Sequence, residues 1–215
     1  FENIDLPLIR TVAATGKPII LSTGMASLEE IGEAVEAARS AGCRALVLLH
    51  CVSSYPTPID EANLRVIPEL ARHFGVVVGL SDHTLGTTAA IASVALGAAV
   101  IEKHFTLSRA EKGPDSAFSL EPQELAELVR QTHDAWSALG TGTLTRPPAE
   151  AGSRVFRRSI YFVRDLPAGH VVGPEDIRRI RPGYGLPPKY FDALLGRRLK
   201  VPVRRGMATR WEHFE

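Results

Sequence analysis

The sequence has few cysteines, few aromatic residues and no long apolar run. Only Cys43 and Cys51 are cysteines, and they form neither a paired framework nor a CxxC motif. Such sparse use is typical of a reducing compartment, so we expect a cytoplasmic protein in which both thiols are buried small side chains. No window approaches the roughly 18 uninterrupted apolar residues of a membrane helix, and the first residues lack the pattern of a secretory signal. We therefore expect neither a membrane nor a secreted protein.

What is present predicts a folded protein of two parts with opposite charge. The 215 residues are 45% hydrophobic and 23% charged, which is enough apolar material for a core. Residues 1–153 carry 11 Lys/Arg and 18 Asp/Glu, whereas residues 154–215 carry 14 and 6. The net charges, −7 and +8, change sign at a polar, proline-containing stretch. This predicts domains at 1–140 and 154–215 joined by a linker at 141–153.

The basic C-terminal part raises the question of nucleic-acid binding. Its arginine pairs are scattered among strand-like segments, and it has no RNA-binding aromatic signature. We therefore expect no nucleic-acid partner.

The first part alternates short apolar runs with amphipathic stretches, which predicts parallel strands connected by helices. One helix begins at a capping box, Ser27 with Glu30, and ends at Gly42. The next helix is expected near Glu61 to Phe74, with Pro68 near its start or at a kink. Two more are expected: an alanine-rich one, Thr87 to Leu96, and one opened by Pro122, whose apolar side holds Leu125, Leu128, Val129 and Trp136. The predicted strands are Pro18–Ser22, Ala45–His50, Val76–Ser81 and Ala98–His104.

Polar residues gather where these strands end, which is where the chemistry of β/α folds lies. His83 and His104 follow adjacent predicted strands, which lie about 4.8 Å apart in a sheet. Two imidazoles so placed can share a metal ion and leave coordination sites open for water and substrate. The alternative is two unrelated histidines, each hydrogen-bonded in a loop. We favour the metal site because the positions are equivalent and each lies beside a carboxylate.

These carboxylates are Asp82 and Glu102. Either can orient a histidine, complete the metal shell or act as an acid or base. The alternative is a salt bridge, such as Glu102 with Lys103. Alternation along the strand directs Lys103 away from His104, so we do not expect it to be a ligand.

Hydroxyl groups at three strand ends favour a phosphate as the guest, although serine and threonine are common in loops. They belong to Ser22, Thr23, Ser53 and Ser81. A loop with the sequence GPDSAFS follows the last strand and places Asp115 at its tip. Such a loop contacts substrate or closes as a lid, unless it is an ordinary Asx turn.

Five motifs in this order resemble the sialic acid synthase family: STGM, HCVSSYPTP, GLSDHTLG, ALGAAVIEKHFT and GPDSAFSLEP. Residues 157–190 resemble the family's C-terminal antifreeze-like (SAF) domain. The resemblance implies an α/β fold, the C-terminal half of a (β/α)8 TIM barrel followed by a small β-rich SAF domain. The sequences around Tyr55 and Asp115, SSY and DSAFS, resemble the pseudaminate branch more than the N-acetylneuraminate or legionaminate branches.

The resemblance also implies a reaction. Family enzymes condense phosphoenolpyruvate with an N-acetylated amino sugar and water, and they release phosphate by C–O cleavage. In the pseudaminate branch the sugar is 2,4-diacetamido-2,4,6-trideoxy-L-altrose. By motif, His83 and His104 would ligate Mn²⁺ or Mg²⁺, and Glu102 would transfer protons beside the aldehyde. Phosphoenolpyruvate would contact Ser22, Ser53 and Ser81, although Ser53 replaces an asparagine found in some neuraminate synthases. The sugar would contact Tyr55 and Asp115.

The same resemblance implies a domain-swapped homodimer in which the SAF domain brings an arginine to the partner's active site. Arg181 matches that motif, the alternative being a plain surface charge. A full TIM barrel has eight strands, and only four are expected here, so we expect a C-terminal half-barrel that is inactive without the missing strands. Two other classes stay open, a metal-dependent hydrolase and a non-catalytic sugar-binding module.

Overall fold

The computed structural model describes residues 2–215, which divide into two compact units, one up to Gly142 and one from Thr143. The first unit holds one sheet of four parallel strands in the order β1-β2-β3-β4. Its strands are β1 Ile19–Ser22, β2 Leu46–Cys51, β3 Val77–Asp82 and β4 Val100–Lys103. Its helices are α1 Leu6–Ala13, α2 Leu28–Ser40, α3 Val66–Phe74, α4 Thr88–Ala95 and α5 Pro122–Leu139.

Local sequence explains where several helices begin and end. Ser27 and Glu30 form both bonds of the predicted capping box ahead of α2. The second predicted helix begins at Val66 rather than near Glu61, so Pro68 lies in its first turn, where a missing N–H has no cost. Gly75 ends this helix with φ +60°, a left-handed conformation that glycine adopts without strain.

The core of the first unit lies on one face of the sheet only. Alternate strand residues pack with the helices there, including Ile19, Leu46, Leu48, Val78 and Leu80. The other face is only partly covered. Leu49 on it is fully buried, but Ile20 is 57% exposed and Val77 is 50% exposed. The sheet is therefore a curled half-barrel whose inner face is incompletely covered.

The edge of the sheet beyond β4 is also open. Within residues 2–215, β1 and β4 each have a strand neighbour on one side only. A groove of about 810 Å³ runs beside β4 and is lined by apolar side chains of β4 and α5. Of the four residues expected on the apolar side of α5, only Leu128 is buried, and Trp136 is 66% exposed. Leu125 and Leu128 pack with Ala90 and Leu120, whereas Val129 and Trp136 on the same helix are exposed.

The second unit has a small antiparallel sheet, β5 Ser159–Phe162 with β6 Ile177–Ile180, extended by isolated bridges, and one short helix, α6 Phe191–Leu194. Its core is closed around fully buried side chains, among them Ile160, Phe162, Ile177, Leu194 and Leu199. The predicted fold class, a half-barrel followed by a small β-rich unit, is confirmed. No helix among the described residues has the length and apolar character needed to cross a bilayer.

Candidate active site

The ends of all four strands of the half-barrel open into one cleft. Because the strands are parallel and in register, their carboxyl ends meet at the same edge of the sheet. The cleft has a volume of about 420 Å³. Seven of the nine side chains that the sequence analysis assigned to the site line it: Ser22, Ser53, Tyr55, Ser81, His83, Glu102 and His104.

The main chain fixes the tautomer of His83. Its Nδ1 lies 2.9 Å from the carbonyl oxygen of Val52, which can only accept a hydrogen bond. In the neutral ring, Nδ1 therefore carries the hydrogen and the lone pair is on Nε2. The hydrogen bond between this ring and Cys51 raises the pKa of His83 above its ordinary 6.5, although burial opposes the rise. For Cys51, burial favours a higher pKa, but the bond and charge of His83 lower it below 9.0.

His104 stands beside His83, with the two ring centroids 5.2 Å apart and the planes at 67°. Its Nδ1 lies 3.6 Å from a carboxylate oxygen of Asp115, in the loop that follows β4. The loop tip therefore reaches the histidine pair, and the exposed carboxylate of Asp115 faces this imidazole.

An aromatic wall flanks the two imidazoles. The ring of Tyr55 lies 4.2 Å from that of His83 and 5.8 Å from that of His104. Phe118 completes the wall, 5.0 Å from His104 and 5.7 Å from Tyr55. Sequence reasoning did not single out Phe118. The signal was available, because it is the one large apolar residue in the polar GPDSAFS loop.

Glu102 and the serines supply the polar part of the cleft. The hydroxyl of Ser81 donates to Glu102 Oε1 at 2.7 Å, which links the ends of β3 and β4. Gly24 allows Ser53 to approach, since a Cβ at Gly24 would lie 2.2 Å from Ser53 Oγ. Asn3, which sequence reasoning also missed, donates from Nδ2 to the Gly24 carbonyl at 3.0 Å and holds this turn.

The two carboxylates beside the histidines have different surroundings. Asp82 forms a buried ion pair with Lys103, with Nζ and Oδ2 2.7 Å apart, and it does not line the cleft. The alternative salt bridge, Glu102 with Lys103, does not form, because neighbouring residues of a strand point to opposite faces. Of the two, only Glu102 lies in the cleft with the imidazoles.

The cleft fits a metal ion held by the two histidines of this chain. The fixed tautomer of His83 offers Nε2, as a metal-binding imidazole requires. Among residues 2–215, no three histidine, cysteine, aspartate or glutamate side chains come close enough to hold an ion together. Asp82 pairs with Lys103 outside the cleft and is not placed to complete the shell, whereas a ligand role for Glu102 stays a prediction.

Two sequence-predicted residues lie apart from the cleft lining. Asp115 is on the loop that contacts His104. Arg181 belongs to the second unit, where it follows β6 and is exposed. Its contact with a sugar stays a prediction.

A cleft at the carboxyl ends of alternating strands and helices, in a chain that continues into a separate β-rich unit, defines the class: a β/α-barrel protein with an appended β-domain. The NeuB family model matches residues 1–144, and the SAF domain model matches residues 157–215. The chain belongs to the NeuB family.

Its relatives include enzymes named for nonulosonic acid synthesis. It is 40% identical over its whole length to a pseudaminic acid synthase of Campylobacter jejuni, covering 63% of that protein. It is 37% identical over its whole length to an N,N'-diacetyllegionaminic acid synthase of Legionella pneumophila, covering 62%. The crystal structure of an N-acetylneuraminic acid synthetase from Leptospira borgpetersenii, in complex with citrate, matches with a TM-score of 0.66 and 38% identity over 71% of this chain and 53% of that one. The chain spans about three fifths of the length of its curated relatives.

Proposed function

We propose that this chain supplies one half of the active site of a nonulosonic acid synthase of the pseudaminate branch. The enzyme would join phosphoenolpyruvate, water and 2,4-diacetamido-2,4,6-trideoxy-L-altrose to give pseudaminic acid and phosphate. One observation carries the proposal: His83, His104, Glu102 and the strand-end serines open into one cleft in a chain related to such synthases. N-acetylneuraminate and legionaminate synthesis are the alternatives.

The strand-end serines would bind phosphoenolpyruvate. The hydroxyls of Ser22, Ser53 and Ser81 line the cleft and would donate to phosphate and carboxylate oxygens. In the reaction, C3 of phosphoenolpyruvate forms a bond to the aldehyde carbon, and the aldehyde oxygen becomes a hydroxyl. Water then adds at C2, and the C–O bond to phosphate breaks, so that all atoms are accounted for.

The imidazoles and the aromatic wall would bind the sugar and activate its aldehyde. His83 and His104 would hold a divalent ion, Mn²⁺ or Mg²⁺, whose contribution when bound is to polarise the aldehyde. Glu102, whose carboxylate accepts from Ser81, would donate a proton to the aldehyde oxygen and regain one from the water that adds at C2. Tyr55 contacts His83 and Asp115 contacts His104, and from these positions they would fix the orientation of the sugar.

The substrate assignment is tested by product analysis. The whole protein is incubated with phosphoenolpyruvate, Mn²⁺ and each of the three acceptor sugars in turn, and the product is identified by mass. We expect phosphate release and product with the altrose derivative. Product with another sugar would move the enzyme to that branch, and sugar turnover without phosphoenolpyruvate would indicate a hydrolase.

We further propose a domain-swapped homodimer in which Arg181 contacts the sugar at the partner's site. The opposite charges of residues 1–153 and 154–215 support attraction between copies. Sedimentation at rising salt tests the dimer, which should weaken as charges are screened.

The role of Arg181 has its own test. Arg181→Ala should raise the sugar KM by about 10- to 100-fold, the loss of one charged hydrogen bond, and leave the phosphoenolpyruvate KM within about twofold. Arg178→Ala, an exposed arginine on β6, is the matched control. Equal effects on both KM values would contradict the role.

A further inference from the structure

A buried ion pair lies directly behind the two histidines. Asp82 and Lys103 immediately precede His83 and His104, and they are register partners on β3 and β4. Their side chains are 1% and 2% exposed, and Nζ lies 2.7 Å from Oδ2. The strand residues on either side of Asp82 line the cleft, whereas Asp82 does not. The pair therefore lies on the side of the sheet away from the site.

The pair reaches both sides of His83. Lys103 Nζ also donates to the carbonyl oxygen of Thr84 at 2.5 Å. The backbone N–H and the hydroxyl of Thr84 both donate to Asp82 Oδ1, at 2.9 and 2.8 Å. The residues before and after His83 are thus tied to each other and to the residue that precedes His104.

The position of the pair at the end of the sheet indicates a role in fixing local geometry as well as in joining the two strands. Asp82 with Lys103 is the last register pair of β3 and β4, so beyond it the ladder no longer joins the two strands. A buried ion pair adds little net stability compared with apolar side chains of similar size. What this pair does provide is a fixed geometry at the point where both imidazoles leave the sheet.

We propose that Asp82 and Lys103 are positioning residues that set the separation of His83 and His104 for the ion these imidazoles would hold. The proposal rests on the proposed function, because it concerns the same site. Neither residue contacts the cleft, so the effect passes through the backbone of the two histidines.

The test uses the double variant Asp82→Asn/Lys103→Met in the whole protein. This change removes both buried charges and the cross-strand bond, while the asparagine can still accept from Thr84. Mn²⁺ alone is the probe, and free Mn²⁺ is followed by electron paramagnetic resonance. We expect Mn²⁺ affinity to fall by about 10- to 100-fold, the range found when residues that orient metal-binding side chains are changed. The kcat should fall, the phosphoenolpyruvate KM should stay within about twofold, and the thermal midpoint should move by only a few degrees.

A pair in the second unit gives the matched control. His170 and Asp176 form a polar pair at 2.8 Å, and His170→Gln/Asp176→Asn should leave Mn²⁺ affinity at the parent value. If the Asp82/Lys103 variant does not fold, Thr84→Val and Thr84→Ser decide the question. The valine variant loses the hydroxyl bond and should bind Mn²⁺ several-fold more weakly than the serine variant, which keeps it.

Several outcomes separate this proposal from the proposed function. A folded double variant with parental Mn²⁺ affinity would overturn it, as would equal affinities for the two Thr84 variants. A parent protein that binds no Mn²⁺ would overturn it as well. A parent that binds Mn²⁺ but forms no product from phosphoenolpyruvate would refute the proposed function, and the Mn²⁺ affinities would still decide the role of Asp82 and Lys103.

Discussion

The two units bury their apolar residues in different ways. In the second unit, Phe162 and its neighbours are enclosed on all sides. In the first unit, the helix side of the sheet is closed, but Ile20 on the inner face and Trp136 beside the open edge are largely exposed. The polar cleft belongs to the unit with the open face. The comparison teaches that the candidate active site lies in the unit whose sheet still exposes apolar residues and open edges. The β-rich unit encloses its own core.

The largest effect should follow from covering those residues and edges. We expect the 215-residue chain by itself to release no phosphate from phosphoenolpyruvate and sugar, because Ile20 and Val77 on the inner face are exposed and the outer strands β1 and β4 each have one strand neighbour within residues 2–215. Adding the separately expressed N-terminal part of the Campylobacter jejuni synthase should restore activity. The measurement is a phosphate-release assay with each part alone as control. Activity from the chain by itself would break the comparison.

The next largest effect should come from the imidazoles of the open unit. In the whole protein, His83→Ala or His104→Ala should lower metal-dependent condensation by about 10³-fold, the equivalent of the several kcal/mol that a metal ion contributes. His73→Ala, on the surface of α3, is the control and should keep parental activity. Activity that survives both the substitution and EDTA would show that no metal acts at this pair.

Stability should respond unequally in the two units. Phe162→Ala empties a fully buried site and should cost about 3–5 kcal/mol in the free energy of unfolding. Trp136→Ala should change it by less than about 0.5 kcal/mol in this chain, because the side chain packs little. Urea denaturation of the chain measures both. A large loss from Trp136→Ala would mean that the face of α5 is already covered in solution.

The smallest expected effect is the loss of stability of the second unit at low pH. Burial acts to raise the pKa of Asp176, but hydrogen bonds from Gly173 and His170 outweigh it and hold the pKa below its ordinary 3.8. The carboxylate therefore stabilises the second unit fully above the ordinary pKa, and this contribution is lost as pH falls through the lower folded value. Urea midpoints between pH 6 and pH 2, reported by Trp211 in a Trp136→Phe background, should fall less steeply in Asp176→Asn than in the parent.

Local patterns predicted the half-barrel well because the signals act over a few residues. The four apolar runs became the four strands, and the capping box at Ser27 formed as expected. The expected packing of Trp136 did not form, since periodicity identifies an apolar face but not whether a neighbour covers it. The start of α3 was placed too early, because residues 59–61 form a separate short turn.

The sequence predicted which residues line the site better than it predicted the contacts between them. Strand-end position alone identified the cleft-lining histidines, serines and Glu102. The partner of Lys103 was not found, because a cross-strand pair depends on register, which the sequence does not reveal. The packing of Phe118 on His104 and the bond from Asn3 to Gly24 likewise depend on loop paths that bring distant segments together.

The bond between His83 and the Val52 carbonyl has a consequence for variation at this site. The acceptor is main chain, so the side chain at position 52 can change without altering which ring nitrogen carries the hydrogen. The loop after β2 places the Val52 carbonyl and thereby determines which nitrogen of the His83 ring carries the hydrogen. Substitutions that shift that loop should therefore disturb the histidine even where they touch no polar atom, and conservative changes of Val52 should leave it undisturbed.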